Sequence, residues 1–273
     1  MSQGAFLAVD EGYSNRKRAA HHNLLLVDGQ GYADEDRYHV YRDIPFERQA
    51  RQRDVLVSAE CGWAHATAEI AAMYDAGLGV RRLDRTLVFT PSGRLVLLDL
   101  AEADAAREWT FLLQTDRPTE PQQDGSRLIR SGSASARFWQ FAPADCRVVV
   151  EVTEVEANPT SSTPELRLTR TLHTLRSTTT RSVEGLFLTT IAPGTETEAT
   201  RVPCAEGQGV TFGTETVLLS PVARRIRAEE VLADAAAVLL TTGDAPHVVA
   251  ATRLELGGKV LLDVAEPYTG KVG

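Results

Sequence analysis

Short runs rich in Val, Leu, Ile and Thr, each closed by Gly, Pro, Asp or Ser, recur along almost the whole chain. Runs of that length and composition form strands, whereas a helix of ordinary size needs about ten or more residues with apolar positions at helical spacing. The runs cover residues 5–10, 22–27, 53–58, 67–73, 85–90, 94–100, 109–114, 147–153, 166–172, 185–191, 215–219, 236–241, 247–254 and 259–264. Turn chemistry lies between them. Pro91-Ser92-Gly93 predicts a tight hairpin, and Asp28-Gly29 and Gly257-Gly258 predict the same. The run LVLLDL (residues 95–100) is apolar on both faces, as a strand enclosed by stacked sheets must be. Leu166, Leu168 and Leu172 share one face of another strand, interrupted by Arg170. Helix formers gather only at Ala101–Trp109, too short to stand alone as a helix, and at Arg227–Ala237, which predicts one short helix or a turn before a strand. Ser131–Arg137 and Asn158–Pro164 read as polar loops. The fold class expected is all-β: a large antiparallel β-sandwich, of the super-sandwich type, with little helix and forming one domain over residues 1–273.

A chain of 273 residues, 43% hydrophobic, buries a core without disulfides or a structural metal. Cys61, Cys146 and Cys204 are too widely spaced for a metal knuckle, and read as small buried hydrophobes. The net charge of −8 argues against nucleic acid or an anionic membrane as partner, because both reward a basic face. An anionic sugar polymer remains compatible, since a local basic cluster suffices to grip it. Residues 1–18 lack the basic stretch and apolar run of a signal peptide, and no apolar run reaches the ~18 residues of a membrane span. Localisation is left open by the sequence.

No nucleophile elbow, phosphate loop, zincin helix or dinucleotide fingerprint occurs. The chemistry-bearing residues concentrate near the start. Asp10 closes one apolar run and His22-Asn23 opens the next, and a carboxylate with an imidazole is an ordinary pair of zinc ligands. If both hold one ion, their ligating atoms should converge to about 3–4 Å. On a strand, His21 and His22 would face opposite sides, with Asn23 on the side of His21. Between Asp10 and His22 lie Arg16, Lys17 and Arg18, with Tyr13 and Tyr32 nearby. Guanidinium groups grip carboxylate or sulfate bidentately, and tyrosine rings flank sugars. Trp63, Trp109 and Trp139, at strand positions, read as core rather than as a sugar platform.

The stretch FLAVDEGYSNRKRAAHHNLLLVDGQGY (residues 6–32) resembles the opening of the C-terminal β-domain of heparinase II/III-like polysaccharide lyases. It shares with them a turn like Asp-x-Gly-x-Tyr (Asp10-Glu11-Gly12-Tyr13 here), an Arg, and His-Asn followed by an apolar strand and Asp-Gly-Gln. Val80–Leu100 (VRRLDRTLVFTPSGRLVLLDL) is similar to the next recurrent part of that domain. The resemblance implies β-elimination on a uronic-acid-containing polysaccharide: a base removes the C5 proton, an acid protonates the leaving oxygen, and polar groups neutralise the uronate carboxylate. It also implies a structural zinc, with Asp10 and His22 as two ligands and a third from a His-x-His segment. Tyr13, Arg16, Arg18 and Asn23 would then face substrate. No His-x-His occurs here, and the family's helical toroid, which carries catalytic groups, is not in this sequence. The expectation is therefore a zinc half-site, no catalytic residue in this chain, and a toroid supplied by a separate domain or subunit. His21, His39 and His65 are the candidates for a third ligand, and spacing selects none. The alternative is a non-catalytic carbohydrate-binding or structural β-sandwich.

Overall fold

The protein is all-β. The computed structural model describes residues 7–10, 18–33, 35, 45–58, 61–157, 162–195 and 197–273. Its strands form three antiparallel sheets. The first has four strands in the order β1 (Leu25–Val27), β6 (Trp109–Thr115), β11 (Leu168–Thr178) and β10 (Arg147–Ala157). The second has eight: β2 (Arg51–Val57), β3 (Ala64–Glu69), β4 (Val80–Phe89), β5 (Leu95–Arg107), β12 (Ser182–Pro193), β9 (Ala134–Ala142), β8 (Arg127–Ser131) and β7 (Glu120–Pro121). The third sheet runs β13 (Thr200–Val202), β15 (Gln208–Thr211), β16 (Glu215–Leu219), β19 (Ala237–Thr241), β20 (His247–Leu256), β18 (Val231–Asp234), β17 (Ile226–Ala228) and β14 (Cys204–Glu206), with β21 (Lys259–Lys271) paired to β20. Helix among the described residues is confined to single 3₁₀ turns, none able to cross a membrane.

The sheets stack as three layers. Trp109, Phe111, Leu113 and Leu175 of the first sheet meet Leu83, Ala101, Phe138 and Phe187 of the second. On the second sheet's other face, Trp63, Val88, Val96, Leu98 and Leu188 meet Val210, Val217, Leu239 and Val249 of the third. A middle layer buried on both sides is what the doubly apolar run in β5 requires: Val96 and Leu98 point into one core, Ala101 and Ala103 into the other. The third sheet curls on itself around a further cluster that includes Ile226, Val238, Val248 and Leu254. All three tryptophans are buried and serve as core.

The expected hairpins form. Thr90 and Arg94 close the β4–β5 turn, with Gly93 at φ 75°. Gly257 and Gly258, both left-handed, join β20 to β21. Asp28 and Gly29, at φ 49° and 77°, reverse the chain between Val27 and Gln30.

Several expectations need correction. Ala101–Trp109 is not helical: it is the end of β5 and the start of β6, because Ala101 and Ala103 are buried in the first core and Glu102 pairs with Arg82. Arg227–Ala237 is not helical either: it holds the end of β17, a turn at residues 229–230, β18, and a bend at Ala235–Ala236 before β19, so the turn before a strand forms, and Ala233, Ala235, Ala236 and Ala237 are fully buried where small side chains allow close packing. Tertiary pairing overrides helix propensity in both places. Ser131–Arg137 is a two-residue hairpin between β8 and β9, its apolar side (Ala134, Ala136, Phe138) disguised by Ser and Arg on the other. Residues 67–73 leave strand at Glu69 and make a turn at Ala71–Met73. Of Asn158–Pro164, residues 158–161 lie outside the described residues, and Pro164 opens a 3₁₀ turn. Leu172 is buried but Leu168 is 52% exposed, so the apolar face of β11 covers only its inner half.

The candidate site around Asp10 and His22

The strand forms later than expected here. Residues 22–27 become β1 only from Leu25, and Ala19–His21 is a 3₁₀ turn. The N–H groups of Ala19 and Gly31 both donate to the Glu35 carboxylate, which ties this turn to the loop after Gly29. The alternation argument separating His21 from His22 therefore does not apply. Of residues 5–10, residues 7–10 are described, and they are not strand.

Gln114, near the end of β6, organises both segments. Its carbonyl accepts from Val9 N at 3.0 Å, and its N–H donates to Asn23 Oδ1 at 2.7 Å. Its side-chain amide donates to the carbonyls of Ala20 and His22 (2.8 and 3.4 Å) and accepts from Thr174 Oγ1 at 2.6 Å. Asn23 Nδ2 returns a bond to Val9 O at 2.8 Å. An asparagine side chain thus makes the cross-links that a strand backbone would otherwise supply, which is why residues 7–10 run beside β6 without joining its ladder.

Beneath this knot, Arg85 and Asp99 face each other across β4 and β5 and pair bidentately at 2.6 and 2.9 Å. Asp99 is fully buried. Burial acts to lower the Arg85 pKa, but the Asp99 carboxylate outweighs it and holds the guanidinium above its ordinary value. The same arginine donates to Asn23 O at 2.5 Å. Tyr74, whose hydroxyl donates to Leu25 O, is pushed well above the usual phenol range by burial. Tyr32 stacks edge-on against Tyr74, 5.2 Å between centroids, and burial raises its pKa as well.

The outcome is that Asp10 Oδ2 and His22 Nδ1 lie 3.8 Å apart, both partly open to solvent. Two atoms bound to one tetrahedral zinc at ~2.0–2.1 Å sit ~3.3–3.4 Å apart, so the pair is slightly wide of that span. Among the described residues no group of three His, Cys, Asp or Glu is placed to hold a metal. His65 cannot be the third ligand: it is buried on β3 and bonds Asp54 O in the layer facing the third sheet. His39, Tyr13, Arg16 and Lys17 lie outside the described residues. Arg18 is exposed beside the 3₁₀ turn, and Asn23 is a structural cross-link.

A cavity of about 370 Å³ opens beside the pair, lined by Ala8, Val9, Asp10, Asn23 and Arg170. Arg170 comes from β11, and its guanidinium meets Asp116 Oδ1 at 3.3 Å. Sequence reasoning registered Arg170 only as a break in an apolar face, and it missed Gln114 and Asp116. The available signals were that break and a glutamine in the otherwise apolar run WTFLLQT.

No family model matches the chain, and no curated protein matches it. Solved structures do. Heparinase III, the BT4657 gene product, superposes with a TM-score of 0.50 at 12% identity, over 74% of this chain and 28% of its own. The heparan sulfate lyase HepC from Pedobacter heparinus aligns over 92% of this chain and 31% of its own, at 10% identity and a TM-score of 0.49. At such identity the likeness is one of fold. The chain spans less than a third of the length of these proteins.

Proposed function

We propose that residues 1–273 form the β-sandwich domain of a heparinase II/III-like polysaccharide lyase, acting in β-elimination on a uronic-acid-containing polysaccharide. The observation that carries this reading is the approach of Asp10 Oδ2 to His22 Nδ1 at 3.8 Å. These are the two residues to which the family motif assigns zinc. The sandwich likeness to heparinase III supports the reading.

In this reading Asp10 and His22 hold zinc, with water completing the shell. Bound there, zinc would supply a structural cross-link between the segment ending at Asp10 and the one beginning at His22. Gln114 and Asn23 pre-position both segments through backbone bonds, so the ion adds to an arrangement already tied together. The chain supplies one wall of a cleft and orients an acidic sugar there. The groups that take the C5 proton and protonate the leaving oxygen come from a helical toroid, in a separate domain or subunit.

Metal analysis of the purified protein tests the first part. One equivalent of zinc is expected in the wild type after incubation and dialysis, and less in Asp10→Ala and His22→Ala, with unfolding midpoints that match the wild type once zinc is chelated. A wild type that takes up no zinc overturns the half-site. Ultraviolet detection of unsaturated uronate tests the second part. No product is expected from this chain alone, and rapid product formation would place catalytic groups within it. Retained oligosaccharide binding without zinc would favour the non-catalytic carbohydrate-binding module.

A further inference from the structure

We infer that Arg170 is the anion-anchoring residue of the cavity beside Asp10, gripping a carboxylate or sulfate oxyanion of an acidic sugar; this rests on the polysaccharide reading above. Arg170 stands directly opposite Val155 in the β10–β11 register, two residues from Leu172, and Val9, Val155 and Leu172 pack together in one buried cluster. At this end of β11 the cation stands beside that small apolar cluster, while the polar residues of the same face, Thr174 and Arg176, lie further along the strand. The ion pair of Arg170 with Asp116 is about one-third exposed on both sides, a setting in which such pairs contribute little to stability.

The geometry fits a positioned recognition group. Asp116 Oδ2 accepts from Ser131 Oγ at 3.0 Å, which fixes the carboxylate, and Asp116 Oδ1 then meets a single guanidinium nitrogen of Arg170 at 3.3 Å. A guanidinium carries five N–H donors in a planar fork. Among the described residues this contact is the one polar interaction Arg170 makes, so an edge of the fork remains for a ligand in the cavity it lines. Asp116 balances the charge without occupying that edge. The arrangement suits two parallel N–H···O bonds to a carboxylate or a sulfate, which lysine cannot reproduce.

The test is calorimetric titration of the full chain with size-matched oligosaccharides: unsulfated uronate-containing, sulfated uronate-containing, and neutral. Arg170→Gln should weaken acidic-sugar binding about tenfold or more, the loss expected for a hydrogen bond to a charged group. Arg170→Lys should recover only part, and the unfolding midpoints of both should match the wild type. An equal loss for both acidic ligands assigns the carboxylate, and a loss confined to the sulfated one assigns the sulfate. If the wild type binds acidic sugars and Arg170→Gln binds them equally well, the role of Arg170 is overturned while the domain reading stands. If the wild type binds no acidic sugar, the polysaccharide reading itself fails.

Discussion

Asn23 and Gln114 are joined through the asparagine side chain, which accepts the Gln114 N–H at 2.7 Å while donating to Val9 O at 2.8 Å. One amide group therefore closes a gap between β6 and the segment leading to Asp10. Both backbone partners lose water on folding, so each depends on Asn23 for its hydrogen bond.

Replacing Asn23 by Ala leaves those two backbone groups unpaired. A loss of about 1–3 kcal/mol is expected, the cost of stranding polar groups in a half-buried place. Asn23→Asp keeps the acceptor but loses the donor, and should fall between Ala and the wild type. Urea unfolding of the three proteins measures this ordering. Equal stability of Asn23→Ala and the wild type would show that water replaces the amide.

Arg85 and Asp99 form the most deeply buried ion pair near the site, with Asp99 at 0% and Arg85 at 13% side-chain exposure. Arg85→Met should destabilise by about 3–5 kcal/mol, because it abandons a buried carboxylate. The double replacement Arg85→Met with Asp99→Leu should recover much of that loss, since neither charge then remains. Full additivity of the two single effects in chemical denaturation would contradict this account.

The strands were legible, though not their division into three layers, because strand signals are local: length, β-branched content and turn residues mark β4, β5, β12 and β20 directly. The alanine-rich stretches misled for the opposite reason. Ala101, Ala103, Ala233 and Ala237 favour helix in isolation, and only close packing in the cores makes them strand. At the site, the motif placed Asp10 and His22 together, and they lie 3.8 Å apart. The knot that holds them was hidden, because Gln114 is separated from Asn23 by 91 positions and acts through both its backbone and its side-chain amide. Arg170 was visible as an anomaly whose meaning depends on a cavity, and a cavity has no signature in one strand.

Gly185 lies against Trp109 where the second sheet meets the first. A methyl group there would sit 2.9–3.1 Å from the indole ring, which is fully buried and donates from Nε1 to Ser182 O at 3.2 Å. The ring cannot yield without breaking that bond or opening the core. Gly185→Ala should therefore destabilise by about 1–3 kcal/mol through overpacking, even though alanine is ordinarily the better strand residue. Gly213→Ala offers no close contact and tests strain alone, because its φ is 79°. Gly185 is not in the left-handed region, so a loss at Gly185 comes from the Trp109 contact, and a Gly185→Ala variant as stable as the wild type would show that the ring shifts without cost.

His65 provides the pH dependence that can be isolated most cleanly. It is 2% exposed, and its Nδ1 lies 2.6 Å from Asp54 O, a carbonyl that can only accept, so Nδ1 carries the proton. Nε2 has no hydrogen-bond partner among the described residues. Burial lowers the His65 pKa; the Asp54 carbonyl and carboxylate oppose this, Arg224 reinforces it, and the balance lies below the ordinary histidine value. The unfolded chain, at about 6.5, then binds a proton that the folded ring resists. Stability should be complete above that value and fall as the pH drops through it toward the folded pKa, with a slope of at most about 1.4 kcal/mol per pH unit for one proton. His247, also lowered chiefly by burial, adds a slope of the same sign, so the comparison must be made against a variant. His65→Gln retains a donor for Asp54 O and does not titrate. Urea unfolding of both proteins between pH 7.5 and 5 should give a shallower acid loss for the variant, and indistinguishable profiles would mean that His65 takes up its proton without opening the interface between the second and third sheets.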